Sequence, residues 1–151
     1  MSISDERLQR VTAALDALPA EAKILDVGGG MRPLAAATHV VDYLPYQPPQ
    51  RVHGSLDEVA FSGETWFQLD ITRERLPFED NYFDFVFCSH TLEDVYNPFL
   101  CLEEIQRVGK RGYIETPSPE WEMTKGIQMK NICGAQHHKW LVSFENDRLT
   151  F

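Results

Sequence analysis

The sequence is poor in positive charge, poor in cysteine, and without any long apolar run. Lys and Arg number 14 against 23 Asp and Glu, a formal net charge of −9. A surface with that imbalance repels phosphate backbones, which sets nucleic-acid substrates aside unless a local basic patch forms. No stretch approaches the roughly 18 apolar residues of a membrane span. The first six residues are polar and acidic, not the basic-then-apolar pattern of an export leader. No membrane partner and a cytoplasmic location are therefore expected. Cys88, Cys101 and Cys133 are odd in number and form no CxxC pair, so reduced thiols fit better than a disulfide framework. There is no P-loop, nucleophile elbow, HExxH or EF-hand pattern, no internal repeat and no low-complexity tract. What is present is ordinary for a soluble globular chain: 43% apolar and 25% charged residues over 151 positions. That length predicts one domain over residues 1–151, burying roughly 68–70% of the surface its unfolded chain exposes.

Short apolar runs alternate with helical or loop segments. Leu8, Val11, Leu15 and Leu18 recur at helical offsets, with Ser4 or Asp5 as the cap and Pro19 as the stop. Residues 23–27, 39–42, 65–70, 84–89 and 113–116 read as strands. The fourth is almost wholly apolar without alternation, as a central strand covered on both faces should be. Residues 43–51 read as loop, because their prolines fix φ and remove donors. Asn97-Pro98 is a helix start, followed by a stripe of Phe99, Leu102, Ile105 and Val108 that Gly109 ends. Residues 121–134 read as loop or irregular helix, and residues 140–151 as a terminal hairpin. The order predicts an α/β fold: a Rossmann-like, doubly wound, mostly parallel sheet in three layers, with a shortened C-terminal β-hairpin.

Three strands in succession end on an acid. Asp26 precedes Gly28-Gly29-Gly30, where a chain without Cβ atoms can turn sharply beneath a ligand. Asp42 closes the second strand, where a carboxylate can accept from both hydroxyls of a ribose. Asp70 closes the third, placed to accept from an adenine amine. Singly, each reads as a solvated turn residue; in series they point to a nucleoside site outside the carboxyl ends of the strands. A nicotinamide dinucleotide fits less well, since Pro33 stands where the third glycine of G-x-G-x-x-G belongs. Residues 28–38 are also near the minimum for a parallel crossover, which leaves a very short or irregular connecting helix and a poor dipole for a pyrophosphate.

The run Ile24-Leu25-Asp26-Val27-Gly28-Gly29-Gly30 resembles the first motif of class I S-adenosylmethionine-dependent methyltransferases. Residues 76–95 (LPFEDNYFDFVFCSHTLEDV) resemble that family's L-P-F-x-D-x-x-F-D-x-V approach to the fourth strand and the S-H-x-L-E-H turn after it. Residues 107–117 resemble its passage from helix to fifth strand. The likeness spans residues 22–119, about two thirds of the chain. It implies that Asp26, Gly28, Gly29 and Gly30 line the methionine moiety and ribose of S-adenosyl-L-methionine. Asp42 and Tyr43 would hold the ribose hydroxyls and cover the adenine, Asp70 and Ile71 would meet the adenine edge, and Ser89 and His90 would lie beneath the cofactor near its methyl group. The first helix would pack on the core and help close the site.

The family resemblance implies methyl transfer to a small-molecule or secondary-metabolite acceptor. Two departures bear on this. Asp94 stands where the motif often has histidine, and the sequence reaches only Phe151, which reduces the last strands to a hairpin. A non-catalytic or regulatory S-adenosylmethionine-binding module with a truncated fold is the alternative, and a second copy of the chain completing the pocket is an expected partner. If the acceptor is a hydroxyl or amine, a general base helps, and histidine is the usual choice. His90, His137 and His138 are the candidates; a capping or packing role for His90 and an exposed loop pair for His137-His138 stand beside that reading. No metal is expected, since adjacent histidines point apart and neither a second cysteine nor a carboxylate falls at ligand spacing. Trp121 and Trp140 read either as pocket walls or as hairpin packing.

Overall fold

Five of the short apolar runs form parallel strands. In the computed structural model, which describes residues 3–151, they are β1 (Ile24–Val27), β2 (His39–Asp42), β3 (Trp66–Gln68), β4 (Phe85–Ser89) and β5 (Gly112–Glu115), side by side in the order β3-β2-β1-β4-β5. Val27 lies opposite both Val41 and Cys88, so the carboxyl ends of the three central strands are level. The chain leaves β1 toward β2 on one side and later inserts β4 on the other. That reversal is the switch point where open α/β sheets bind ligands.

Side-chain alternation divides the core in two. Leu25, Val27, Val41, Val86 and Cys88 face one way, with Leu92, Cys101, Ile105 and Val108; Ile24, Val40, Trp66, Phe85 and Phe87 face the other. The first face is covered by α2 (Pro98–Val108), whose N-cap Asn97 accepts from the Leu100 amide at 3.3 Å and whose end is held by the Gly109 amide on Ile105. The second is covered by α1 (Ile3–Asp16) through Val11, Ala14 and Leu15, by Leu18 just beyond its end, and by loops. The cap expected from Ser4 or Asp5 and the packing expected of Leu8 concern side chains outside the described residues. Residues 28–38 contain no helix, and the longer passage from β2 to β3 has only a 3-10 turn, Leu56–Glu58.

Two expectations shift. Phe99 is exposed, off the buried face of α2, and instead meets Trp140 and Phe151 at 6.4 and 5.4 Å; Cys101 takes its place in the buried stripe. The terminal hairpin is real but short, β6 (Ser143–Glu145) and β7 (Arg148–Thr150), and it follows a short helix α3 (Pro119–Met123). Its two-residue turn, Asn146 at φ 51 and Asp147 at φ 61, has the paired positive φ of a type I′ hairpin. The strand begins only at Ser143, and the segment before it is tied to the loop after β4. Trp140 donates its indole N–H to the Val95 carbonyl at 2.8 Å, and the Lys139 amide bonds Glu93 at 2.7 Å. Among the described residues, no helix is long and apolar enough to cross a membrane.

Candidate functional site

A cleft of about 600 Å³ opens above the sheet, and each of its walls begins at a strand tip. Gly28 comes from β1, Asp42 and Tyr43 from β2, Asp70 and Ile71 from the end of β3, His90 and Thr91 from β4, with Asp94 and Tyr96 further along that loop. A larger hollow, about 1120 Å³, lies between β5 and the hairpin. It touches none of the strand-end aspartates, so size alone does not identify the site.

The glycine turn is built for closeness. The Gly28 amide bonds the Val41 carbonyl at 2.8 Å, and its φ of 78 lies where a side chain is strained. A Cβ there would stand 2.1 Å from the Thr91 hydroxyl oxygen. Only Gly28 of the three glycines opens on the cleft. Gly29 faces inward against Val40 and Asp26, and Gly30 gives its amide to Asp42 at 2.8 Å.

The aspartates do three different things. Asp26 is buried and accepts from the Leu34 amide at 2.7 Å, so it braces the loop after the glycines rather than lining the cleft as expected. Burial pushes its pKa up to about 7; the Leu34 bond opposes this and the nearby Asp42 charge adds to it. Asp42 does line the cleft. Its two oxygens accept from the amides of Gly30 and Leu44 at 2.8 and 2.7 Å, and burial still outweighs those bonds and holds its pKa above the usual carboxylate value. An ionised carboxylate offers about four acceptor positions; the Gly30 and Leu44 amides take two, on a side chain that lines the cleft. Asp70 caps its own turn, accepting from the Thr72 hydroxyl at 2.6 Å and pairing with Arg73 at 3.5 Å. The Thr72 bond is the main reason its pKa is lowered.

Ser89 is not among the cleft walls, but His90 is, in the left-handed region at φ 53. Its Nε2 is 3.6 Å from Glu115 and its Nδ1 3.2 Å from Glu93. Those two carboxylates, Glu115 first, raise its pKa to about 9 against the opposing effect of burial. A ring set between two carboxylates is favoured in its protonated form, which has no lone pair to take a proton, and this environment works against the general-base role expected of His90. The linkage has a definite sign. The folded pKa is above the unfolded 6.5, so the stabilisation is whole below about pH 6.5 and is lost as pH rises through about 9. An NMR titration should find the His90 ring midpoint near 9, and His90→Gln should remove that loss of stability on the alkaline side. A midpoint near 6.5 would restore the base reading.

His137 and His138 do not point apart. Their rings stand at 76° with centroids 4.6 Å apart, and both turn toward Asp94, which the chain brings in from the loop after β4. The expectation of no ligand geometry here is corrected: the missing carboxylate was distant in sequence, not absent. Trp140 and Trp121 are packing residues, the first on Val95 and the second 6.1 Å from the His138 ring.

Much of the segment around residues 76–84 serves the core. Phe78, Tyr82 and Phe83 form an aromatic cluster with Phe67 and His39. Asp84 ties the start of β1, accepting from the Lys23 amide at 2.9 Å and from Lys110 at 2.7 Å. Thr91, Thr72, Arg73, Leu44 and Tyr96 complete the cleft and carried no sequence signal of their own. Glu93, a partner of His90, stands at the acid of the S-H-x-L-E-H turn without a role assigned to it there, and Glu115, the other partner, was unmarked.

A family model described as a methyltransferase domain matches residues 9–114. No curated protein and no solved structure gives a significant match to the chain.

Proposed function

From the premise that this chain belongs to the methyltransferase-domain family, a class I S-adenosylmethionine-dependent family, we propose that it binds S-adenosyl-L-methionine at the strand tips and methylates a small-molecule or secondary-metabolite acceptor. The observation that carries the reading is Asp42. Two acceptor positions on one buried, strand-end carboxylate are what the paired hydroxyls of a ribose need. Tyr43 and Tyr96, 74% and 80% exposed, stand at the lip as faces for an adenine ring, while Ile71 supplies an apolar wall and Asp70 an acceptor at its edge. Gly28 and Thr91 let the chain pass close beneath the ligand.

The donor set suits a ligand without phosphate. The cations on the cleft walls are Arg73, paired with Asp70, and His90, held between Glu93 and Glu115; neither is left over for a pyrophosphate. A volume of about 600 Å³ is within the range of small-molecule sites. When bound, S-adenosylmethionine supplies a methyl group already activated on a sulfonium, so the protein's task is chiefly position. His90, with its two carboxylates, fixes the floor of the cleft and donates rather than accepts protons there.

Calorimetric titration with S-adenosylhomocysteine and, separately, with NAD tests this. Micromolar binding of the first and none of the second is expected; the reverse pattern would end the reading.

A further inference from the structure

Three metal-ligating atoms converge beside the cleft. His137 Nε2 is 3.8 Å from Asp94 Oδ2, His138 Nε2 is 3.9 Å from Asp94 Oδ1, and one ligand atom from each residue lies within 4.8 Å of the others. Asp94 Oδ1 is buried and accepts no hydrogen bond. His138 Nδ1 is hydrogen-bonded to Glu122 Oε1, a buried carboxylate that also accepts from the Ala135 amide through its other oxygen. That bond places a ring proton on Nδ1, so that the neutral ring presents Nε2 as a lone pair. A lone pair and an unpartnered carboxylate oxygen then face each other across less than two atomic diameters. Such an arrangement asks for positive charge between them.

The backbone holds the three in place. Lys139 Nζ donates to the carbonyls of Asp94 and His137 at 2.6 and 3.2 Å, and the Lys139 amide and the Trp140 indole fasten the same two segments at Glu93 and Val95. From this geometry we propose that Asp94, His137 and His138 bind a divalent transition-metal ion, Zn²⁺ or its chemical neighbours, with Glu122 as the outer partner that orients His138. Zinc bonds to imidazole and carboxylate measure about 2.0–2.2 Å, which sets tetrahedral donors about 3.4 Å apart; the two histidine–Asp94 separations, 3.8 and 3.9 Å, close to that with shifts of about half an ångström, and the widest gap, within 4.8 Å, closes with at most about 1.4 Å. Two imidazoles with one carboxylate favour zinc, cobalt, nickel or iron over magnesium and calcium. His137 is exposed, so the ion has a route of entry and an open position toward solvent. The site requires nothing of the ligand assigned to the cleft, although Asp94 borders both.

The test is equilibrium titration of the chelator-treated protein with Zn²⁺, with Co²⁺ as a visible-absorbance probe, and with Mg²⁺ as the hard-ion comparison. One Zn²⁺ per chain at micromolar affinity or tighter, a cobalt d–d band, and no Mg²⁺ binding are expected. His137→Ala, at an exposed position away from the Glu122 bond, and Asp94→Asn should each weaken Zn²⁺ at least about tenfold, and Glu122→Gln should weaken it about 10–100-fold. Absence of Zn²⁺ binding overturns the proposal. So does binding that Asp94→Asn leaves unchanged, which would show only a surface histidine pair collecting metal.

Discussion

Arg107→Ala is expected to lower the unfolding free energy by about 3–5 kcal/mol, the cost of breaking a buried ion pair by removing one partner. Arg107 holds more than a charge. Its guanidinium donates to the carbonyls of Phe78 and Leu76 at 2.6 and 3.0 Å, to Asp80 at 3.1 Å, and to both oxygens of Glu104 at 2.9 and 2.6 Å. Glu104 is buried and also accepts from the Leu76 amide at 2.8 Å. The pair thus fastens residues 76–80 beneath α2, on the approach to the central strand. Arg75 also reaches Glu104, at 3.3 Å, but from an exposed position, so it screens the stranded carboxylate only weakly. The double variant Arg107→Ala/Glu104→Gln should recover part of the loss, because the carboxylate left without its partner is then gone. Urea denaturation at constant slope reads the difference. A loss below about 1 kcal/mol, the value of an exposed pair, would mean that water already solvates this network.

That network also shows where sequence reading stops. The L-P-F-x-D segment was legible as a family signature, but its work is to supply carbonyls to Arg107 and aromatic rings to the core. Features decided locally came through. The Asn97 cap and Gly109 stop bound α2, the strand tips at Asp42 and Asp70 reach one cleft with Gly28, and the two-residue turn at Asn146 closes the hairpin. Features decided by distant contacts did not. Asp26 looked like a ligand-facing acid because it ends β1 beside the glycines, yet the loop folds back and gives it the Leu34 amide. His90 looked like a base because its spacing says nothing of Glu115, which arrives from β5. Phe99 fitted the helical stripe, and the aromatic residues of the C-terminal segment drew it outward. The histidine pair read as unable to chelate because the carboxylate it meets belongs to another loop.

The proposed ligand site requires parallel strands that present their tips to one nucleoside, with Asp42 at the centre. Asp42→Asn keeps the side-chain shape and one acceptor for the Gly30 or Leu44 amide, while removing the charge and the spare acceptor positions. Hydrogen bonds to a charged group are worth about 1.5–3 kcal/mol each when one partner is lost, so S-adenosylhomocysteine should bind about 10–150-fold more weakly. The same variant should remain folded, since Gly30 is only partly buried and Leu44 is exposed, and neither belongs to the core. Calorimetric comparison of the wild-type protein with folded Asp42→Asn is the most direct measurement: a fall of that size places the ribose on β2, and an unchanged affinity would contradict the assignment of the cleft.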